Sequence, residues 1–246
     1  MRVVLVLICG CWLGLGTLSA GTLAQFRTVF GDLEVELYDA DKPVTVTNFI
    51  HYVESGAYSN LFIHRWEPLF VIQSGGYHMI ERHTTNVAIK AINTVAVITN
   101  EYKVGRTFSN VYGTIAMARQ EGVTNSATSQ WFINLTNNSG LDFADGGFTV
   151  FGHVVGGTNV LNVFNDLTTN SPLYRANLGG ALTKLPVTSV RPTFEDVVYV
   201  PTAAPVIMLV APGPIELVHA NAPSRRRVFA NATAAWTIAC SFFACR

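Results

Sequence analysis

Cysteine is missing from residues 12 to 239; Cys9, Cys11, Cys240 and Cys245 lie at the two ends. A body without cysteine has no disulfide framework, no thiolate metal site and no thiol nucleophile. Charge is scarce too. Only 13% of residues are charged and the formal net charge is zero, which removes the electrostatic footprint of a nucleic-acid binder. Neither a Ser-His-Asp signature nor a cluster with metal-ligand spacing stands out. His78 and His83 flank Glu81 without a third ligand nearby, so they read as loop histidines. There is no internal repeat. With 246 residues the chain can hold one large domain or two small ones.

The mean hydropathy is +0.31, and the apolar excess sits at the ends. Residues 1–24 open on Met1-Arg2, run apolar from Val3 to Leu18 and reach small residues at Ser19-Ala20 and Ala24. That is the pattern of a secretory signal peptide; the alternative, a membrane anchor, asks for a span of ~20 residues, longer than this run. Export to the periplasm, cell envelope or medium is expected. From Pro201 the composition changes to an Ala/Pro-rich linker, then Arg225-Arg226-Arg227 and an apolar run from Val228 to Cys245. Residues 201–246 read as a disordered tail or an anchor, so any membrane contact would be through the terminal segments.

The body, residues 25–200, reads mainly as β structure. Gln25–Phe30 and Asp32–Tyr38 alternate around Gly31 as a hairpin that buries Leu33, Val35 and Leu37. Pro43 opens a helix over Val44–Glu54, with Val46, Phe49, Ile50 and Val53 inward and His51 facing solvent; Ser55-Gly56 ends it. Tyr77–Thr99 reads as a long surface loop with one strand near Val95–Ile98. Further strands are predicted at Gly113–Arg119, Gln130–Leu135, Phe148–Val155 and Asp196–Val200, and a helix at Asn159–Leu167. Few short helices among many strands, without crossover units, point to an antiparallel β-barrel with capping helices.

One stretch concentrates the chemistry. Phe62 to Gly76 reads as two short strands around a Pro68 turn. Arg65 and Gln73 stand there among Phe62, Phe70 and Ile72, apolar enough to be buried. Polar groups in such company are costly unless they face a wet cleft or find partners, so this stretch is expected to form a cleft wall with Arg65 as its strong cation.

His64-Arg65, Phe70, Gln73, Gly75-Gly76, then Gly113-Thr-Ile-Ala-Met-Ala118, Ser126-Ala-Thr-Ser-Gln130-Trp-Phe-Ile-Asn134, Leu141-Asp142 and Val150-Phe-Gly152 resemble the cyclophilin family of peptidyl-prolyl isomerases, in its bacterial branch. The resemblance runs from about Gln25 to Val200. It implies a closed eight-stranded antiparallel barrel with a helix at each end and a cleft on the outer wall. It also implies catalysis by Arg65 with Gln73 as its polar partner, and a proline pocket of Phe70, Val71, Phe132 and Leu141. Ala118 and Gln130 then take the residue before proline, and Phe148 completes the apolar set. Three positions depart from the family pattern. Gly140 replaces a large aromatic that supports cyclosporin-type inhibitors, with Phe143 near enough to fill part of the gap. Val71 replaces a commoner Met, and Ser74 replaces the first glycine after Gln73.

The implied reaction rotates an X–Pro bond during the folding of exported chains. Nothing is bonded or cleaved, so no cofactor or metal is expected, and the partners are proline-containing segments of unfolded chains bound by a monomer. A binding module of the same fold with little turnover is the alternative, favoured by Gly140 and Val71 and opposed by Arg65 and Gln73.

Overall fold

The computed structural model describes residues 21–79, 89–189, 206–210 and 226–229. The segment 1–20, Glu81, His83, the strand expected at Asp196–Val200 and all four cysteines lie outside the described residues.

The opening hairpin is β1 (Gly21–Thr28) against β2 (Gly31–Leu37), turning where Thr28 meets Gly31. Leu33, Val35 and Leu37 are buried, as their alternation predicts. β1 begins at Gly21 rather than Gln25, because Leu23 and Ala24 are apolar, buried and in register with Glu36 and Val35.

The helix α1 spans Pro43–Glu54 and buries Val46, Phe49 and Val53, while Ile50 is partly covered and His51 exposed. It has no side-chain cap of its own. Glu101 supplies one from a distance: its carboxylate accepts the N–H of Val44 at 3.1 Å and of Thr45 at 2.7 Å. Those donors have no partner within a helix. In return the buried Lys42 ammonium donates to the carbonyls of Glu101 at 2.8 Å and Val104 at 2.5 Å.

The remaining elements follow in chain order as β3 (Arg65–Glu67), β4 (Val71–Ser74), β5 (Tyr77–Met79), β6 (Ile89–Ala91), β7 (Thr114–Met117), β8 (Trp131–Asn134), β9 (Val150–Gly156), α2 (Thr158–Asn165), β10 (Tyr174–Ala176), β11 (Leu185–Val187), β12 (Val206–Val210) and β13 (Arg226–Phe229). The expected strand near Val95–Ile98 is replaced by the β5–β6 pair and a single bridge from Ile98 to Ala127. Within the tail, β12 falls in the stretch read as linker and β13 on the arginine triplet and the start of the apolar run; the two pair with each other, β12 also pairing with β1.

Among the described residues the fold is mainly β with two α-helices, and every ladder is antiparallel. The main sheet runs β13-β12-β1-β2-β9-β7-β8-β4-β3. The closed eight-stranded barrel is not what the described strands form: no described pairing joins β3 back to the far edge. β12 occupies the outer edge of β1, from Gly21↔Val210 to Gln25↔Val206. The outer edge of β3 meets Lys184, whose carbonyl accepts the Trp66 N–H at 2.8 Å.

The strand period of two divides the sheet into faces with different tasks. Trp66, Ile72, Ile115, Trp131, Ile133 and Phe151 point to the main core, which α1 and α2 cover with Phe49, Val53, Val160, Leu161 and Phe164. Burying each such side chain contributes about 1.5–3 kcal/mol. Val71, Ala116, Phe132 and Val150 point the other way into a separate cluster, and it is this outer face that carries the site.

Candidate active site

Three cross-strand registers assemble the site. Arg65 lies opposite Gln73 on β3–β4, Gln73 opposite Phe132 on β4–β8, and Phe132 opposite Ala116 on β7. Directly opposed residues share a face, so the cation, the amide and the aromatic ring stand in one row on the outer wall. The row ends at Gln130, whose backbone oxygen accepts the Ala118 N–H at 2.9 Å.

Arg65 is held from two sides. Its Nη1 donates to Gln73 Oε1 at 3.3 Å, and its Nη2 lies 3.4 Å from Glu67 Oε1. Gln73 uses its other end to donate from Nε2 to Gln130 Oε1 at 2.8 Å. The guanidinium carbon stands 5.9 Å from the Phe70 ring centroid. Further N–H groups of the fork stay open to a ligand.

The apolar residues come together on the outer face. Val71 and Phe132 are in the outer cluster, with Phe70, Ala118, Leu141 and Phe148 packed against it. The Phe132 and Phe148 rings meet edge to face at 5.8 Å. Phe132 and Val71 are buried, so Val71 lies beneath the pocket rather than along its rim. Leu141 is fixed by its neighbours: its N–H donates to the Asn138 carbonyl at 2.8 Å and its carbonyl accepts the Phe148 N–H at 3.1 Å. Asn138 also donates to the Phe70 carbonyl at 2.8 Å and to Asn134 Oδ1 at 2.7 Å. One asparagine thus anchors both sides of the apolar pocket, Leu141 through its backbone carbonyl and Phe70 through its side-chain amide.

The departures from the family pattern have distinct structural outcomes. A Cβ at Gly140 would meet nothing within 4 Å, and Phe143, which was expected to fill part of that gap, is 83% exposed instead. Ser74 continues β4 by one residue opposite Trp131, and its hydroxyl donates to the Phe62 carbonyl at 2.8 Å. The turn therefore falls at Gly75, where φ is +81° and a Cβ would sit 2.4 Å from the Ser129 carbonyl oxygen. That close approach brings the 128–130 segment against β4. Tyr58 donates to the same Ser129 carbonyl, and Asn48 of α1 donates to Thr128 O at 2.6 Å.

His64 is buried beside the row, its ring 5.2 Å from that of Tyr77. Burial first, and the Arg65 charge second, push its pKa down to about 4, against a Gln130 hydrogen bond that works to raise it. It is neutral at physiological pH.

Three charged residues escaped sequence reasoning. Arg119 follows Ala118 with a nearly buried side chain stacked 4.1 Å from the Phe148 centroid, and it donates to the carbonyls of Ala144 at 2.9 Å and Asp145 at 3.1 Å. A lone arginine closing an apolar strand was the available signal. Lys184 and Arg175 both reach Glu67, on the same face as Arg65. Burial raises the Glu67 pKa, but the Lys184 hydrogen bond and the charges of Lys184, Arg65 and Arg175 outweigh it and hold the carboxyl below its usual range. No spacing rule links residues so far apart.

Elsewhere, a shallow groove of about 610 Å³ over α1 is lined by Pro43, Val44, His51, Val95 and Ile98 and carries no arginine. Among the described residues no group of His, Cys, Asp and Glu could hold a metal ion, and no helix is long and apolar enough to cross a membrane.

Comparison with known proteins bears on this geometry. A family model described as cyclophilin type peptidyl-prolyl cis-trans isomerase/CLD matches residues 23–180. A peptidyl-prolyl cis-trans isomerase of Acinetobacter baylyi is 38% identical over 154 residues, covering 62% of this chain and 76% of its own. Peptidyl-prolyl cis-trans isomerase A of Dickeya dadantii is 36% identical over 156 residues, with coverages of 62% and 76%. The crystal structure of a cyclophilin type isomerase from Cryptosporidium parvum superposes with a TM-score of 0.51 at 18% identity, covering 79% of this chain and 99% of that one, a likeness of fold.

Proposed function

The chain belongs to the cyclophilin-type peptidyl-prolyl cis-trans isomerases, and from that membership we propose that Arg65 and Gln73 perform its isomerisation of X–Pro bonds. The observation that carries this reading is the Arg65–Gln73–Gln130 hydrogen-bonded row laid along the Phe70, Phe132, Leu141 and Phe148 cluster.

The uncatalysed barrier is about 18–20 kcal/mol, because rotation breaks amide resonance, whereas the two isomers differ by only about 0.5–1 kcal/mol. Help is needed at the twisted state and nowhere else. There the proline nitrogen becomes pyramidal and gains a lone pair, which the planar ground state lacks. Arg65 donates a hydrogen bond to that lone pair, so its contribution grows as the bond twists, which is what lowers a barrier. Gln73 keeps the fork from swinging away, and Glu67 takes one of its outer N–H groups. The apolar cluster, floored by Val71, grips the proline ring. Ala118 and Gln130 hold the residue before proline while the rest of the peptide turns.

The ligands in this reading are proline-containing segments of unfolded chains, and the setting is outside the cytoplasm. The signal-like composition of residues 1–20 supports export. A non-catalytic binding module is disfavoured by the pairing of Arg65 with Gln73, which a purely apolar proline grip would not need.

The test is an NMR exchange or protease-coupled isomerase assay on the chain beside Arg65→Ala. Turnover is expected to fall about a hundredfold or more, with the β-sheet circular dichroism unchanged. An Arg65→Ala protein that kept full activity would overturn the assignment.

A further inference from the structure

Resting on the isomerase reading, the structure assigns a second subsite: Arg175 and Lys184, gathered around Glu67, receive an acidic side chain of the substrate on the C-terminal side of the proline.

The direction follows from register. Gln130 and Ala118, the wall for the residue before proline, stand at the Gln73 end of the row. The next pair on the same face is Glu67↔Val71, one strand period past Arg65↔Gln73. That period is about 6–7 Å, the reach of a dipeptide. A peptide with its pre-proline residue on Gln130 and its ring on Phe132 passes Arg65 and carries its following residues toward Glu67.

The charge it meets there is positive. Arg65 Nη2 at 3.4 Å and Lys184 Nζ share Glu67 Oε1, and Arg175 Nη1 is 3.3 Å from Oε2. Three cations surround a single carboxylate. The carboxylate is the covered partner: the Glu67 side chain is 18% exposed, against 49% for Arg175 and 44% for Lys184. A ligand arriving from solvent therefore encounters ammonium and guanidinium groups, with the balancing anion beneath them.

These cations are placed by fixed backbone. Arg175 pairs with Pro186 in the β10–β11 ribbon, and the Lys184 carbonyl is bonded to Trp66. Leu182, Leu185 and Val187 pack the ribbon onto Phe62 and Met79. Lys184 and β11 lie past residue 180, where the family match ends, while Glu67 and Arg175 lie within it.

The experiment compares isomerisation of two peptides that differ only in Glu or Gln at the second position after proline, with the full chain and NMR exchange. At about 20 mM salt the Glu peptide should show a kcat/KM about fivefold higher, the scale of a partly exposed ion pair. The gap should shrink at about 0.5 M salt. Arg175→Gln combined with Lys184→Gln should bring the ratio to one. Arg175→Gln alone, on a half-exposed side chain, should reduce it, and this keeps the test sound if the double variant misfolds. Equal rates for the two peptides with the unaltered chain, or a preference retained in the variants, would overturn the subsite while leaving the isomerase reading intact. Turnover of neither peptide by the unaltered chain would count against the isomerase reading itself.

Discussion

Arg65 and Gln73 face each other across the β3–β4 ladder, and the guanidinium Nη1 donates to the amide oxygen at 3.3 Å. The amide thereby works in two directions, since its nitrogen donates to Gln130 at 2.8 Å. Removing it should loosen both the catalytic cation and the wall for the preceding residue. Gln73→Leu is expected to lower kcat about tenfold, the scale of a hydrogen bond to a charged group. The backbone register, which involves no side-chain atom, should persist. An NMR exchange rate equal to that of the unaltered protein would show that Arg65 needs no such support.

Arg65→Lys separates charge from geometry. Lysine keeps the positive charge but loses the planar fork that contacts Gln73 and Glu67 together. Activity should fall between that of the unaltered protein and Arg65→Ala in the same assay. A lysine variant as active as the arginine would mean that charge alone suffices.

Gly140 has open space around it. Gly140→Trp should fold normally and should tighten inhibition by a cyclosporin-type cyclic peptide, because the added ring extends the apolar pocket beside Leu141. Inhibition curves for the two proteins check this, and coincident curves would place the weakness elsewhere.

Gly75 offers no such freedom. Its φ is +81° and an added Cβ would lie 2.4 Å from a backbone oxygen. Gly75→Ala should cost about 1–3 kcal/mol of stability, read as a lower urea midpoint with an unchanged slope. A midpoint within error of the unaltered protein would contradict the close approach of Ser129.

His64 makes stability depend on pH. Its pKa is about 4 in the folded protein against 6.5 for the free side chain. Between those values the unfolded chain binds more protons than the folded one, so stability rises with pH across this window. Acidification from pH 6.5 to 4 should remove about 3 kcal/mol through this residue, and the loss should level off about one pH unit lower, once the folded histidine is protonated as well. His64→Gln should flatten that slope in urea titrations at several pH values; an unchanged slope would assign the acid sensitivity to other groups.

The elements of the site were legible where local pattern governs. Arg65 and Gln73 are eight residues apart around a proline turn, a hairpin signal, and as polar residues in apolar company they pointed to a cleft wall. Phe132, Leu141, Ala118 and Phe148 could be grouped only through the family's order of motifs, because β7, β8 and β9 meet by tertiary pairing. Lys184 lies 117 residues from Glu67, so nothing local announced their contact. Closure of the sheet is not seen among the described strands, and the edge of β1 is held by β12, a segment about 180 residues away. Glu101 as the remote cap of α1 belongs to the same class, since its effect is seen only once the 100–106 loop is docked.

The two-faced sheet has a consequence for how this molecule can change over generations. Ile72, Ile133 and Ile115 answer to the folding core, while their neighbours Gln73, Phe132 and Ala116 answer to the ligand. Point replacements on the outer row can retune ligand preference without repacking the interior. A one-residue insertion or deletion within β4 exchanges the two rows at once, driving Gln73 inward and Ile72 into the cleft. Drift by substitution is therefore open to these strands, whereas drift in their length is closed, and variation in length is left to the loops and the β10–β11 ribbon.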